Sequence, residues 1–155
     1  MKFTLDWLKD HLDTSKDLKT IADTLTNIGL EIENIEDKSE DFKNFTVAKV
    51  LKAKKHPDAD KLKVCEVKTV NGNFQVVCGA PNAKEGMLGI FAPENSYIPG
   101  TGVHLKKTKI RGIESCGMLL SEREMGISDE HEGIIEINDK YKIGDQFSKI
   151  FKVDE

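Results

Sequence analysis

Between Lys52 and Leu62 the chain reads Lys-Ala-Lys-Lys-His-Pro-Asp-Ala-Asp-Lys-Leu, which sets Lys52, Lys54, Lys55, His56 and Lys61 around a Pro-Asp pair. Ammonium groups so spaced suit a loop over a phosphate backbone, where they displace counterions and give affinity with little sequence information. A second basic run, Lys106-Lys107-Thr108-Lys109-Ile110-Arg111-Gly112, reads as strand. Alternation along it would send Lys107, Lys109 and Arg111 to one face and Lys106 to the other. Directly after it, Ser115 has a hydroxyl to offer a phosphate or a base edge, and Met118 a soft side chain to lie against a base. The plainer readings are a solvated loop for the first run, lysines guarding an edge strand for the second, and a core methionine for Met118.

Other chemistries find less support. Cys65, Cys78 and Cys116 form no Cys-x-x-Cys pair, so neither a disulfide framework nor a zinc knuckle is expected, and no base stands near any of them in sequence to make a thiolate nucleophile. Asp58 and Asp60 beside four lysines read as cap and turn chemistry in place of a metal site. His11, His104 and His131 lack metal spacing. A small enzyme built on the cysteines or on Asp58 and Asp60 would need a polar pocket around them. No catalytic residue and no metal ligand is assigned.

The elements that must carry the basic runs lie in a distinct stretch of the chain. Residues 44–115 hold 12 lysines and arginines against 6 aspartates and glutamates, whereas residues 1–43 hold 6 against 11 and residues 116–155 hold 5 against 10. A net charge of -4 therefore hides a positive middle between two acidic flanks. With 38% hydrophobic and 32% charged residues, the composition is that of a folded, water-soluble protein, and no apolar run approaches a bilayer span. The opening residues lack the apolar centre of a signal peptide, so the expected compartment is the cytoplasm.

Thr4 is placed to cap a helix ending near Asp13, and Ser15 or Asp17 a second one in which Leu18, Ile21, Ala22, Leu25 and Ile28 recur at helical spacing before Gly29. Leu30 and Ile32 alternate with Glu31 and Glu33 as in a strand, and the polar stretch Glu36–Asp41 marks a boundary. Beyond it the period changes to short runs rich in Val, Ile and Phe. Strands are expected at 45–51, 62–70, 74–78, 87–92 and 103–110, with Asn71-Gly72 at a hairpin tip, a helical turn at 122–125, and a last strand over 133–137. The expectation is a mostly β protein of the α+β class: an N-terminal helix-helix-strand extension over 1–40 and a five-stranded OB-fold barrel over 41–153.

The run His56-Pro57-Asp58-Ala59-Asp60-Lys61-Leu62, then Cys78-Gly79-Ala80-Pro81-Asn82, then Lys109-Ile110-Arg111-Gly112-Ile113-Glu114-Ser115-Cys116-Gly117-Met118 together resemble the tRNA-binding OB domain family. That family includes domains attached to methionyl-tRNA synthetases, endothelial monocyte-activating polypeptide and the bacterial phenylalanyl-tRNA synthetase β subunit. The Cys-Gly-Ala-Pro-Asn form is similar to the last of these, as are Met1–Lys9 and Leu25–Glu33. The resemblance implies an auxiliary, largely sequence-independent tRNA-binding module, with Ser115, Met118, Arg111 and the flanking lysines at positions associated with tRNA contact. It implies an α2β2 ligase in which an α subunit carries aminoacylation of a phenylalanine-specific tRNA with ATP and Mg2+, none of it on this stretch. It implies too that residues 1–40 are part of a domain completed downstream. The alternative role is a scaffold or docking domain of the heterotetramer that does not touch tRNA.

Overall fold

In the computed structural model, Thr4 and Asp17 each occupy the position where a helix must satisfy its first free N–H groups. The Thr4 hydroxyl accepts from Trp7 N and opens α1 (Leu5–His11), and the Asp17 carboxylate accepts from Thr20 N and opens α2 (Leu18–Asn27). The Thr20 hydrogen bonds also hold the Asp17 carboxyl below its ordinary range. α2 ends in a Schellman motif: Gly29, at φ +97°, donates to Thr26 O, and Leu30 donates to Leu25 O. The expected strand at Leu30 is not formed. Residues 30–36 join no ladder among the described residues, and Leu30 and Ile35 are exposed, because no neighbouring strand offers them a partner. The described residues are 1–36 and 38–151; they divide into a unit of residues 1–40 and a unit of residues 41–151, with α3 (Lys38–Phe42) straddling the division.

The second unit is built on a five-stranded antiparallel sheet. Its strands are β1 (Thr46–His56), β2 (Ala59–Thr69), β3 (Gly72–Cys78), β4 (Leu88–Ala92) and, after a long excursion, β9 (Met118–Leu119), in the order β3-β2-β1-β4-β9. Between β4 and β9 lie two small ribbons, β5 (Tyr97–Ile98) with β6 (Val103–His104), and β7 (Thr108–Ile110) with β8 (Ile113–Ser115). Val103–Ile110 is therefore not one strand: the chain leaves the first ribbon after His104 and enters the second at Thr108. The fifth strand of the main sheet is β9, which pairs Ala92 with Met118 and Phe91 with Leu119. Residues 133–137 form no full strand either. Ile135 donates to Leu120 O and Ile137 to Leu88 O, leaving one isolated bridge, and Asn82 clamps this segment by both donating to and accepting from Ile134.

The β2–β3 hairpin turns one residue earlier than expected: Thr69 pairs with Gly72, so Val70 and Asn71 are its loop residues and Gly72 begins β3. Positive φ is confined to Gly72, and Thr69 pairs with Gly72 while its hydroxyl donates to Gly72 O and accepts from Asn71 N. A type I′ turn would need both central residues in the left-handed region. The helical turn after Ser121 is present, with Met125 N donating to Ser121 O. A short α4 (Phe147–Ile150) buries Phe147 against Phe42.

Inward positions of β1 to β4 hold Val50, Cys65, Val67, Val76 and Phe91, all buried. The sheet is curled: Phe74 on β3 stacks on Phe91 on β4 with ring centroids 5.6 Å apart. Across a flat sheet those strands would lie three spacings, roughly 14 Å, from each other.

Candidate nucleic-acid interface

The basic run after Leu51 continues as strand and not as a loop. β1 runs on to His56 and pairs through Lys52 with Glu66, Lys54 with Val64 and Lys55 with Lys63, so the lysines ride on a two-stranded ribbon that turns at Pro57-Asp58. The ladder from Lys52 to His56, although irregular between Lys55 and His56, pairs the backbone here and outweighs the modest strand propensity of lysine. Lys52, Lys54, Lys55 and Lys61 are exposed. Lys52 lies 3.9 Å from Glu66. Lys63 leaves the surface row, its ammonium donating to Pro81 O and Ala83 O at 3.1 and 2.6 Å.

His56 departs from its expected role. It is only 4% exposed; Nδ1 accepts from Asp58 N at 3.0 Å, which leaves Nε2 to carry the hydrogen toward Ile110 O at 3.1 Å. It binds protein at both ring nitrogens and has nothing left to offer a phosphate. Its partner, Ile110, closes the second basic element. In β7–β8 the loop residues Arg111 and Gly112 have φ of +47° and +85°, and Ile110 pairs with Ile113. This is a two-residue hairpin in which arginine accepts a left-handed backbone that L side chains disfavour. Arg111 is thus at a turn and not on the strand row with Lys107 and Lys109. Lys109 stands opposite Glu114, and the Lys107 ammonium lies 3.2 Å from the Glu114 carboxylate, whose hydrogen bond and charge push the lysine pKa up. That pair is exposed and open to competition from phosphate.

Ser115 departs as well. Buried at 3% exposure, its Oγ accepts from Val77 N and donates to Gly117 O, while Cys116 N donates to Gln75 O and Gln75 Nε2 donates to Glu114 O. Residues 114–116 thereby satisfy the free edge of β3. Met118 is half-buried on β9 and lines, with Val77, Cys78, Leu119 and Ile134, a cavity of about 220 Å³. Sequence patterns gave no sign of Gln75, Lys63 or Asn82 as fastening groups, because each acts on chain far away in sequence.

Exposed cations remain on both hairpins. The His56–Ile110 bond joins hairpin tips 54 residues apart: the β1–β2 hairpin carries exposed Lys54, Lys55 and Lys61, and the β7–β8 hairpin carries exposed Lys109 and Arg111. Among the described residues none of these five has a carboxylate within 4 Å, whereas Lys52, Lys84 and Lys107 each do.

The cysteines face other surroundings. Burial pushes the Cys65 thiol up to about 11 and raises that of Cys78; both lie in the core, and Cys116 is half-buried with its thiol also raised. None is a poised nucleophile. A thiol-reactive chromogenic disulfide at pH 8 should titrate one of the three cysteines, Cys116, in the folded chain, and all three in denaturant. Rapid reaction of Cys65 or Cys78 in the folded chain would contradict this placement. Among the described residues no group of three or more His, Cys, Asp or Glu is arranged to hold a metal ion.

Comparison with known proteins identifies the family. The family model described as "Putative tRNA binding domain" matches residues 45–146, about two thirds of the chain, spanning both hairpin tips and the capped edge of β3. The chain belongs to this tRNA-binding domain family. The phenylalanine–tRNA ligase β subunit of Brucella abortus (strain 2308) is 50% identical over 156 residues, covering 100% of this chain and 19% of the relative. That of Mesorhizobium japonicum is 52% identical over 157 residues, covering 100% and 20%. The chain thus spans about a fifth of the length of these curated relatives. Among solved structures, a MetRS-related protein from Pyrococcus horikoshii has a TM-score of 0.52 at 26% identity, over 73% of this chain and 97% of that one. An RNA ligase from Naegleria gruberi, at 17% identity and a TM-score of 0.50, covers 70% of this chain and 33% of that one and shares the fold alone.

Proposed function

We propose that this chain binds tRNA through the sugar–phosphate backbone, as an auxiliary module within a phenylalanine–tRNA ligase β subunit. The observation that carries the reading is that two hairpins bearing five exposed cations, with no carboxylate within 4 Å among the described residues, are joined tip to tip inside the segment that matches the tRNA-binding family. Lys54, Lys55, Lys61, Lys109 and Arg111 are the contacts proposed first. Lys52 and Lys107 join them by exchanging a carboxylate for a phosphate, and half-buried Met118 on β9 is a further proposed contact. Contacts of this kind set position and affinity and read little sequence.

The supporting architecture is an OB-type barrel. The stacked Phe74 and Phe91 rings and the Cys116–Gln75 hydrogen bond between the β3 edge and the chain entering β9 support closure of the curled sheet. The N-terminal unit is part of a domain completed by a further segment of a longer subunit, a reading supported by the exposure of Phe3, Trp7, Leu12 and Ile28. In the whole enzyme this module would act in the cytoplasm beside an α subunit in an α2β2 assembly, where ATP and Mg2+ serve aminoacylation. Among the described residues no helix is long and apolar enough to cross a membrane.

Titration of the 155-residue chain with fluorescently labelled tRNA at low and moderate salt tests the reading. Phenylalanine-specific and other tRNAs should bind with similar affinity, and binding should weaken steeply as salt rises. Absence of binding at low salt would leave the basic surface a solvated one and favour a scaffolding role.

A further inference from the structure

We propose that His56 is a positioning residue: by bridging the two hairpin tips it makes one preorganised phosphate-binding surface out of two separate basic elements. The proposal rests on the tRNA-binding reading for its ligand, but the bridge itself is a property of the free protein. β7–β8 pairs only three residues on each strand, and a ribbon that short does not hold itself in water. Its trailing end is fastened, because Glu114, Ser115 and Cys116 are hydrogen-bonded to β3. Its tip carries Lys109 and Arg111, and there the bond from His56 Nε2 to Ile110 O is the fastening between this tip and the β1–β2 tip. On the other side of the ring, Nδ1 accepts from Asp58 N and fixes the imidazole plane and tautomer in the Pro57-Asp58 turn. One side chain therefore sets the conformation of its own turn and the position of a turn 54 residues away. The two jobs use different atoms, and so they are separable by substitution.

Asparagine places an acceptor near the position of Nδ1 and is too short to reach Ile110 O; glutamine places a donor near Nε2. His56→Asn should keep the Pro57-Asp58 turn and release the β7–β8 tip, and His56→Gln should keep the tip fastened. Hydrogen exchange on the RNA-free chain should show faster exchange confined to residues 108–113 in His56→Asn and slow exchange restored in His56→Gln. Affinity for labelled tRNA should fall roughly 3- to 10-fold in His56→Asn, the cost of ordering Lys109 and Arg111 on binding, and recover in His56→Gln. The slope of log affinity against log salt should stay the same in both variants, because no phosphate-neutralising charge has been removed. A change in slope would mean that the imidazole contacts phosphate itself and would overturn the proposal. So would unchanged exchange at residues 108–113, or faster exchange there with unchanged affinity. If the wild-type chain binds no tRNA, the functional reading fails and takes the affinity part with it, while the exchange measurement still decides whether His56 is the bridge.

Discussion

Replacing Lys54, Lys55, Lys61, Lys109 and Arg111 together by glutamine should reduce the magnitude of the salt slope for tRNA binding by about 3.5 to 4.5, at roughly 0.7 to 0.9 for each phosphate no longer neutralised. This is the largest functional effect expected of surface substitutions here, since these five exposed cations sit on the two joined hairpins and have no carboxylate within 4 Å among the described residues. Cognate and non-cognate tRNAs should lose affinity alike, because phosphate contacts carry position and not sequence. Thermal stability should move little, as all five side chains lie at the surface of the hairpin tips. Lys107 should contribute less than these five. Its ammonium already has the Glu114 carboxylate at 3.2 Å, so Lys107→Gln removes one cation and frees one anion on the same surface. A quintuple variant that folds normally and keeps the wild-type salt slope would exclude this surface from RNA binding.

Local chemistry was legible where it acts within a few residues. The Thr4 and Asp17 caps, the Gly29 stop, the β2–β3 hairpin and β4 all depend on neighbours close in sequence, and all stand where pattern places them, the hairpin turn to within one residue. The expectations that failed are those decided at a distance. Alternation aligned Lys107, Lys109 and Arg111 on the assumption of one continuous strand, but Arg111-Gly112 is a turn, which Ile110 and Ile113 close across. The stretch 52–61 looked like a loop because lysines dominate it, yet its backbone is in a ladder with β2. His56 and Ser115 carry groups suited to phosphate, and both are buried by partners that no spacing rule connects to them: Ile110 O for one, Val77 N for the other. The motif residues thus divide by a physical criterion. Those with a buried polar atom fasten the scaffold, and those with an exposed charge form the candidate site. Sequence alone marks both kinds equally.

Gly117 belongs to the first kind, and Gly117→Ala should be the most damaging single-methyl change in this motif, with a loss of roughly 2 to 6 kcal/mol. Two costs combine. At φ +116° an L side chain is strained, on the order of 1 to 3 kcal/mol. The added Cβ would also stand 2.6 Å from Ala92 O and 2.6 Å from the Phe91 ring, inside the core where overpacking costs about 1 to 3 kcal/mol. Neither neighbour yields easily, since Ala92 is paired with Met118 in the sheet and the Phe91 ring is stacked on Phe74. Gly79→Ala is the matched comparison: its Cβ would meet Leu62 Cδ2 at 3.4 Å, an ordinary approach, and its backbone is outside the left-handed region. Urea unfolding should therefore show a large drop in midpoint for Gly117→Ala and less than about 1 kcal/mol for Gly79→Ala. Where Gly117→Ala still folds, displacement of Gly117 O should disturb Ser115, whose hydroxyl donates to that carbonyl while accepting from Val77 N, so hydrogen exchange at Val77 should rise with the loss of stability. A loss below about 1 kcal/mol with slow exchange retained at Val77 would show that β9 tolerates a side chain at this position and that the close approach to β4 is not what holds the β3 edge in place.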